Sequence, residues 1–290
     1  MDYPEELENP ELARMITIDN VDVHLRSPAS PGCNWIGNTE PFRFLSAAWL
    51  KMHAKDSIMT PVLIGPPGCG KTTLARAVAK VFDLPVYLMN CTSDMRPDDL
   101  LITPVIANNN QVLYRASGLV SAMVNGGICV LDEANRMNEK SWASLASLLD
   151  DRRYIESISS GTKIIAHPEF RIVATMNDDS STFTVPDYIE SRLKPVLPVE
   201  FPSMEELKEI ITYHMPFIAP GLEDAVVQYL EEQKLKGSIT SYSIRDAINI
   251  TRFFQKFPET PYSEMDSIAR KILKVHDQPV TLKKSLFIGI

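Results

Sequence analysis

The sequence predicts a three-layer α/β/α core with a parallel sheet, followed by a small all-helical domain. Over residues 33–202, short apolar runs typical of buried parallel strands alternate with segments of helical periodicity. A glycine-rich turn joins one of these runs to the helix that follows it. From Ser203 onward the pattern becomes helical, and Pro195, Pro198 and Pro202 mark a domain boundary just before it.

The composition is that of an ordinary soluble globular protein. The 290 residues are 44% hydrophobic and 23% charged, with a net charge of -8. A large basic surface for nucleic acid is therefore not expected, and no apolar run approaches the ~20 residues that span a bilayer. The acidic N-terminus lacks a signal-peptide core, and the four cysteines are widely spaced. We expect a cytoplasmic protein with reduced thiols and neither a membrane nor a nucleic-acid partner.

The N-terminal segment precedes the first predicted layer. Residues 1–32 are punctuated by prolines and predict an arm with a short strand around residues 22–25. A helix is predicted from about Thr39 to His53, and its apolar residues recur at the spacing of one buried face. These residues are Phe42, Leu45, Ala48, Trp49 and Met52. Ile36 and Gly37 are candidates to contact a nucleotide base, and core packing is the alternative.

The glycine-rich turn is the most informative motif. It consists of Gly65, Pro66, Pro67, Gly68, Cys69, Gly70, Lys71 and Thr72. An apolar strand precedes it, and a helix continues from Thr73. Phosphate oxygens need many N–H donors close together, which glycines and a helix N-terminus supply. We predict that residues 65–73 bind nucleotide phosphates, that Lys71 reaches the β- and γ-phosphates, and that the Thr72 hydroxyl ligates Mg²⁺.

Polar residues follow two further apolar strands. Residues 128–131 run directly into Asp132 and Glu133, about 60 residues after the glycine-rich turn. Asp132 is predicted to hold the Mg²⁺ shell, and Glu133 to polarise the attacking water as general base. Asn177 ends the strand predicted over residues 170–176. We expect its side chain to face the γ-phosphate, and a capping role is the alternative.

Two hairpins and several helices complete the prediction. One hairpin turns at residues 108–110, and the other at residues 159–161 between β-rich runs. A helix is predicted from Ala134 to Leu149. After the boundary, helices are expected at 204–214, 222–235, 242–256 and 262–275, followed by a tail over residues 276–290.

Together these motifs resemble the MoxR family of AAA+ ATPases, including its CbbQ/NorQ-like members. The resemblance covers roughly residues 33–255. It rests on residues 65–72 as Walker A, 131–136 as Walker B and 174–177 as sensor 1. It implies a P-loop NTPase core at 33–202, with a helix-2 insert at about 100–117 and a pre-sensor-1 hairpin at 154–166. It also implies a helical AAA+ lid and tail at 203–290, ATP with Mg²⁺ as ligands, and a homo-oligomer that forms a hexameric ring.

The resemblance further implies roles for two arginines. Arg192 matches the arginine finger, which would reach the nucleotide of the neighbouring subunit, and a cation capping a helix C-terminus is the alternative. Arg245 matches sensor 2 on the lid, and an exposed helix salt bridge is the alternative. Three other arginines are further candidates to act in trans: Arg136, Arg152 and Arg153. Leu193 and Asp246 depart from the family pattern, which has phenylalanine and a small residue there.

The implied function is an ATP-dependent remodelling machine that matures or activates a protein client. Family members often work with a von Willebrand factor A domain partner. One alternative is a nucleotide-switched binding scaffold with slow hydrolysis, although Glu133 argues against it because a scaffold needs no general base. The second is a nucleic-acid motor or clamp loader, which the net charge of -8 disfavours.

Overall fold

The computed structural model describes residues 14–30, 32–53, 56–106, 111–178, 184–239 and 242–273. The chain divides into two compact units, Met1–Phe201 and Pro202–Ile290. Strands lie in the first unit: β1 (Met15–Ile18), β2 (Val21–His24), β3 (Val62–Gly65), β4 (Val86–Asn90), β5 (Ile102–Ile106), β6 (Val112–Ala116), β7 (Ile128–Asp132), β8 (Tyr154–Ser157), β9 (Thr162–Ile165), β10 (Arg171–Asn177) and β11 (Val196–Pro198). Its helices are α1 (Thr39–Trp49), α2 (Lys71–Val81), α3 (Pro97–Leu100), α4 (Gly118–Asn125), α5 (Glu139–Leu145) and α6 (Asp187–Glu190).

A five-stranded parallel sheet forms the middle layer of the first unit. Its strand order is β11-β3-β10-β7-β4, and each neighbouring pair is parallel. Side chains alternate along a strand, so Ile128 and Val130 of β7 pack in one cluster with α1 and α2. Cys129 and Leu131 pack in a second cluster with α4 and α5. The predicted three-layer α/β/α core with a parallel sheet is confirmed.

A second, four-stranded sheet joins the N-terminal segment to the first inserted hairpin. Its order is β1-β2-β6-β5, and β2 pairs in parallel with β6 through Val23 and Tyr114. The β8–β9 hairpin adjoins it, because the Lys163 amide donates to the Asp19 carboxylate at 2.9 Å. Ser159 also donates to the carbonyl of Ile102 at 2.7 Å. The strand β1 was not predicted within the N-terminal arm. The predicted turn at 108–110 lies outside the described residues.

The predicted helix from Ala134 to Leu149 is wrong in its length. Residues Ala134–Arg136 form a 3-10 turn, and α5 starts only after Asn138. The Asn138 side chain accepts a hydrogen bond from the Ser141 amide at 3.0 Å, which makes it the N-cap of α5. Leu145, Leu148 and Leu149 are still buried, so the apolar spacing identified core residues in a segment that is only partly helical.

The first predicted helix is also shorter than expected. α1 ends at Trp49, because Leu50 adopts an extended backbone with ψ 132. Leu45, Ala48 and Trp49 are buried as predicted, but Met52 lies beyond the helix and is 71% exposed. The predicted face therefore holds for the helix itself and fails after its last turn.

The second unit contains four described helices. They are α7 (Met204–His214), α8 (Leu222–Leu235), α9 (Ile244–Lys256) and α10 (Met265–Leu273). Two N-termini carry capping boxes, Ser203 with Glu206 and Ser243 with Asp246. α7 and α8 have the predicted bounds, whereas α10 follows a 3-10 turn, and the predicted tail 276–290 lies outside the described residues. Among the described helices, none is long and apolar enough to cross a membrane.

Candidate active site

The glycine-rich turn lies between β3 and α2 in a backbone shape that excludes other side chains. Gly70, the N-cap of α2, has φ +104, and Gly68 has φ +77, values that L side chains rarely adopt. A Cβ on Gly65 would lie 2.1 Å from the Val199 carbonyl oxygen. Cys69 is buried, and its thiol donates to the same oxygen at 3.3 Å. The turn is therefore packed against the segment after β11, with the N-terminus of α2 following it.

Lys71 is a buried cation at the start of α2. Its Nζ donates to the carbonyls of Gly65 and Pro66 at 2.8 and 2.9 Å, and to Asn177 Oδ1 at 3.0 Å. Asn177 lies opposite Gly65 in the β10–β3 register, which explains how residues 106 positions apart meet. The described residues offer Lys71 no carboxylate within ion-pair distance. A buried ammonium that has no counter-charge among the described residues is suited to an anionic ligand.

The acidic residues at the end of β7 are held by two hydroxyl groups. Thr72 donates to Asp132 Oδ1 at 2.9 Å, and Thr175 on β10 donates to the same oxygen at 2.5 Å. The Glu133 amide in turn donates to the Thr175 hydroxyl at 3.1 Å. A threonine hydroxyl beside a carboxylate is an oxygen donor set of the kind that Mg²⁺ prefers. Thr72 and Asp132, both predicted as metal ligands, therefore fit that ion chemically.

Glu133 itself has an unusual backbone and an ionic partner. Its φ of 56 and ψ of 42 lie in the left-handed region, immediately after the last residue of β7. Its carboxylate lies 2.6 Å from Arg136 Nε, and the two side chains are 38% and 43% exposed. Arg136, a candidate to act in trans, is thus paired within its own chain.

Asn135 was missed from the sequence as a member of this site. Its amide nitrogen donates to the backbone carbonyl of Asn177 at 2.9 Å, and its Oδ1 is buried with no hydrogen-bond partner among the described residues. Together with Thr175, it connects the end of β10 to the segment after β7. Asn135 lies inside the 131–136 motif and Thr175 inside the 174–177 motif, but neither motif by itself predicts a role for these two residues.

The arginine predicted as a finger does not contact this cluster in its own chain. Arg192 donates to the Tyr188 carbonyl, and its guanidinium lies 3.8 Å from the Asp150 carboxylate. Arg152 binds the same carboxylate at 2.7 Å, and hydrogen bonds from Arg152 are the main reason that the pKa of Asp150 is lowered. Arg153, half-buried, donates to the Phe170 carbonyl at 2.7 Å.

Three further residues were predicted to contact the nucleotide: Arg245, Ile36 and Gly37. Arg245 is exposed on α9 in the second unit. Ile36 and Gly37 are half-buried before α1, where the Trp35 indole donates to the Asn38 carbonyl at 2.9 Å. A Cβ on Gly37, which has φ +146, would lie 3.0 Å from the Trp35 ring. Contact of these residues with a nucleotide stays a prediction.

Three of the four cysteines are buried free thiols. One of these three, Cys91, lies beside Asp132. Cys91 follows β4, and its amide donates to the Asp132 carbonyl at 2.8 Å. Burial, helped by the charges of Asp132 and Glu133, raises the pKa of Cys91 to about 12. The thiol is therefore neutral near physiological pH and adds no further negative charge to the site.

Residues 61–193 match the model of the AAA domain of the dynein-related subfamily. An uncharacterized protein of Staphylococcus aureus (strain bovine RF122) is 30% identical over 155 residues, which are 52% of this chain and 59% of that protein. An uncharacterized protein of Staphylococcus haemolyticus is 25% identical over 207 residues, which are 68% of this chain and 78% of that protein. The match spans less than two thirds of the S. aureus relative.

Solved structures share the fold. A mutant of Thermotoga maritima RuvB is 22% identical, with a TM-score of 0.54, over 83% of this chain and 70% of that chain. NtrX from Brucella abortus, solved in complex with ADP, is 17% identical, with a TM-score of 0.51, over 78% of this chain and 53% of that chain. At such identities the similarity concerns the fold alone. The chain therefore has a P-loop NTPase-like fold with a C-terminal helical region, and residues 61–193 are similar to the AAA domain of the dynein-related subfamily.

Proposed function

We propose that this chain is a MoxR-type AAA+ ATPase that hydrolyses ATP and uses the energy to remodel or activate a protein client. The observation that carries the proposal is the cluster at the carboxyl edge of β3, β7 and β10. There a buried cation, a hydroxyl, a carboxylate and an amide meet, contributed by Lys71, Thr72, Asp132 and Asn177. Ligands of open α/β sheets bind at this edge, and the NtrX structure with ADP has the same fold.

The phosphates would bind at the glycine-rich turn and the N-terminus of α2. Lys71 uses its three donors on two main-chain carbonyls and one amide oxygen. Phosphate oxygens are better acceptors for an ammonium than neutral carbonyls, because charge-assisted hydrogen bonds are roughly twice as strong. We therefore expect Lys71 to exchange carbonyl partners for phosphate when nucleotide arrives.

The chemistry would take place on the side of the acidic residues. Thr72 and Asp132 would hold Mg²⁺, which when bound neutralises charge on the phosphate oxygens. Glu133 would accept a proton from the attacking water, and for this its carboxylate must leave Arg136. Asn177, already held by Lys71 and Asn135, would orient the γ-phosphate.

The site would be completed by arginines. The Arg192 side chain is 30% exposed, and its polar contacts among the described residues are with the Tyr188 carbonyl and Asp150, which is compatible with a finger that serves the neighbouring subunit of a hexameric ring. Arg245 would act from the lid. The resemblance of the sequence to MoxR proteins supports both roles and the oligomeric state.

A protein client would contact the two inserted hairpins. Ile106 and Val112 flank the tip of the β5–β6 hairpin and are 75% and 55% exposed, and Ile158 in the β8–β9 turn is 94% exposed. Exposed apolar residues at hairpin tips are suited to unstructured or apolar client segments. A partner with a von Willebrand factor A domain is a further proposal that rests on the family resemblance.

The test is the variant Glu133→Gln with ATP and Mg²⁺. We expect it to bind a fluorescent ATP analogue within about threefold of the wild-type affinity and to lose phosphate release by at least about 100-fold. Light scattering after gel filtration should show an ATP-dependent ring that persists in the variant. A wild-type protein that hydrolyses ATP no faster than the variant would contradict the proposal.

That contrary result would support the second candidate function, a nucleotide-switched scaffold. The close Glu133–Arg136 pair, at 2.6 Å, favours the scaffold because the arginine occupies the carboxylate of the general base.

A nucleic-acid motor is tested separately. RuvB, described as a Holliday junction branch migration motor, shares the fold at 20% identity and a TM-score of 0.51. With a net charge of -8, we expect neither DNA-stimulated turnover nor salt-dependent DNA binding.

A further inference from the structure

We propose that Thr175 is a positioning residue whose hydroxyl holds both acidic residues of the site in working geometry. The proposal rests on the ATPase function proposed above and adds a residue that neither metal, water nor nucleotide would touch. The threonine lies in the middle of the site but on a different strand from the residues it would control. It is fully buried, with 0% of its surface exposed.

The register of the parallel sheet brings Thr175 to the end of β7. Ala174 of β10 lies opposite Leu131, so the next residue along β10 is beside Asp132, where β7 ends. The Thr175 hydroxyl donates to Asp132 Oδ1 at 2.5 Å and accepts from the Glu133 amide at 3.1 Å. A hydroxyl has one proton to donate, and here it is used on the carboxylate.

The effect on Asp132 is to fix the plane of its carboxylate. Oδ1 accepts from both Thr72 and Thr175, and both of these hydrogen bonds go to Oδ1 and not to Oδ2. A carboxylate anchored through one oxygen presents the other in a constant direction. Groups outside the ligand shell that orient a ligand in this way change metal affinity by roughly 10–100-fold when they are removed.

The effect on Glu133 is exerted through the main chain. Its φ of 56 is unfavourable for a residue with a side chain, and such conformations persist only where the surroundings enforce them. The hydrogen bond from the Glu133 amide to Thr175 is such a restraint. Without it, the residue is free to relax toward an ordinary backbone, which would turn the carboxylate away from its present direction.

Valine and serine separate the hydroxyl from the shape of the side chain. Thr175→Val keeps the volume and removes the hydrogen bonds, whereas Thr175→Ser keeps the hydroxyl and removes a methyl group. A residue that matters only for packing would tolerate valine better than serine. A positioning residue gives the reverse order, and this order is the signature that we predict.

The experiment compares these two variants with wild type in three measurements. Phosphate release at saturating ATP should fall about 100-fold in Thr175→Val and stay within about threefold in Thr175→Ser. The Mg²⁺ concentration that half-saturates binding of a fluorescent ATP analogue should rise at least about tenfold in Thr175→Val alone. Binding of a fluorescent ADP analogue in EDTA should be equal in all three proteins, which controls for folding.

Wild-type turnover and Mg²⁺ dependence in Thr175→Val would overturn the proposal, as would an equal loss in Thr175→Ser. Should Thr175→Val fail to bind nucleotide in EDTA, Thr175→Ala replaces it, and equal turnover in the alanine and serine variants overturns the proposal. Failure of the proposed function is distinguishable. If wild type itself shows no turnover, the ATPase hypothesis fails, while the Mg²⁺ titration still decides whether Thr175 orients Asp132.

Discussion

The carboxyl edge of the sheet and the segment around Arg192 belong to the same unit, yet the residues predicted to bind phosphate and metal meet only at the first. At the sheet edge, Lys71 contacts Asn177 and Thr72 contacts Asp132 directly. Arg192 contacts Tyr188 and Asp150 instead. Residues at the ends of parallel strands must meet within one chain, because the sheet itself brings them together. An arginine on a loop has no such constraint, so its role depends on what a second chain places beside it.

The variant Arg192→Ala tests most directly whether Arg192 acts on a second chain. If Arg192 acts in trans, turnover should fall about 1,000-fold, because an arginine that stabilises the transferring phosphoryl group is worth at least that much. Binding of a fluorescent ATP analogue should stay within about threefold of wild type. Arg43→Ala, which removes an exposed guanidinium from α1, is the control and should retain most of the turnover.

A mixing experiment shows which chain uses the arginine. Mixed rings of Arg192→Ala and Lys71→Ala chains contain some sites with both residues intact, so part of the turnover should return. Lack of recovery in rings shown to be mixed would place Arg192 in the site of its own chain and reverse the contrast drawn above.

Lys71→Ala alone tests the connected half. Loss of the buried ammonium should weaken binding of the fluorescent ATP analogue at least about 100-fold, because two charged hydrogen bonds of about 1.5–3 kcal/mol each are lost. Lys80→Ala is the control on the same helix, because that lysine is exposed and its ammonium contacts Asn34. Equal affinity in the two variants would show that the cluster does not bind phosphate.

Asn135→Ala sharpens the account of how the edge is held together. It leaves the Asn177 carbonyl without the donor seen at 2.9 Å, and a buried acceptor left unpaired costs about 1–3 kcal/mol. We expect the free energy of unfolding in urea to fall by that amount. Asn34→Ala, at an exposed position, should change it by less than about 0.5 kcal/mol. If Asn34→Ala lowers the free energy of unfolding by as much as Asn135→Ala does, the proposed structural role of Asn135 is contradicted.

The smallest expected effect is on the reactivity of the cysteine thiols. Burial raises the pKa values of Cys69, Cys91 and Cys129, so at about pH 8 each is protonated, and only thiolates react quickly with a disulfide reagent. Half-exposed Cys33 should react first in the native protein, and the other three only after unfolding in urea. A Cys33→Ser variant that still shows a fast thiol would contradict this order.

The sequence allowed the sheet edge to be predicted because its residues follow apolar strands directly. Asp132 and Asn177 are the last residues of β7 and β10. The role of Thr175 could not be predicted, because it depends on the register between β7 and β10, which the sequence of either strand alone does not specify. β1 was missed because it has four residues with no fully buried side chain, and its sheet continues through β6, some 90 positions further along the chain.

The pairing of β2 with β6 shows that the module matched by its sequence is smaller than the unit that shares one hydrophobic core. The matched module begins at residue 61, but Val23 and Leu25 are 0% and 3% exposed in the same core as Leu131 and Phe170. Leu45 and Trp49 of α1 complete the opposite face. A fragment cut at the start of the module would expose to water the apolar residues that pack against these side chains, so poor solubility of that fragment would say nothing about nucleotide binding.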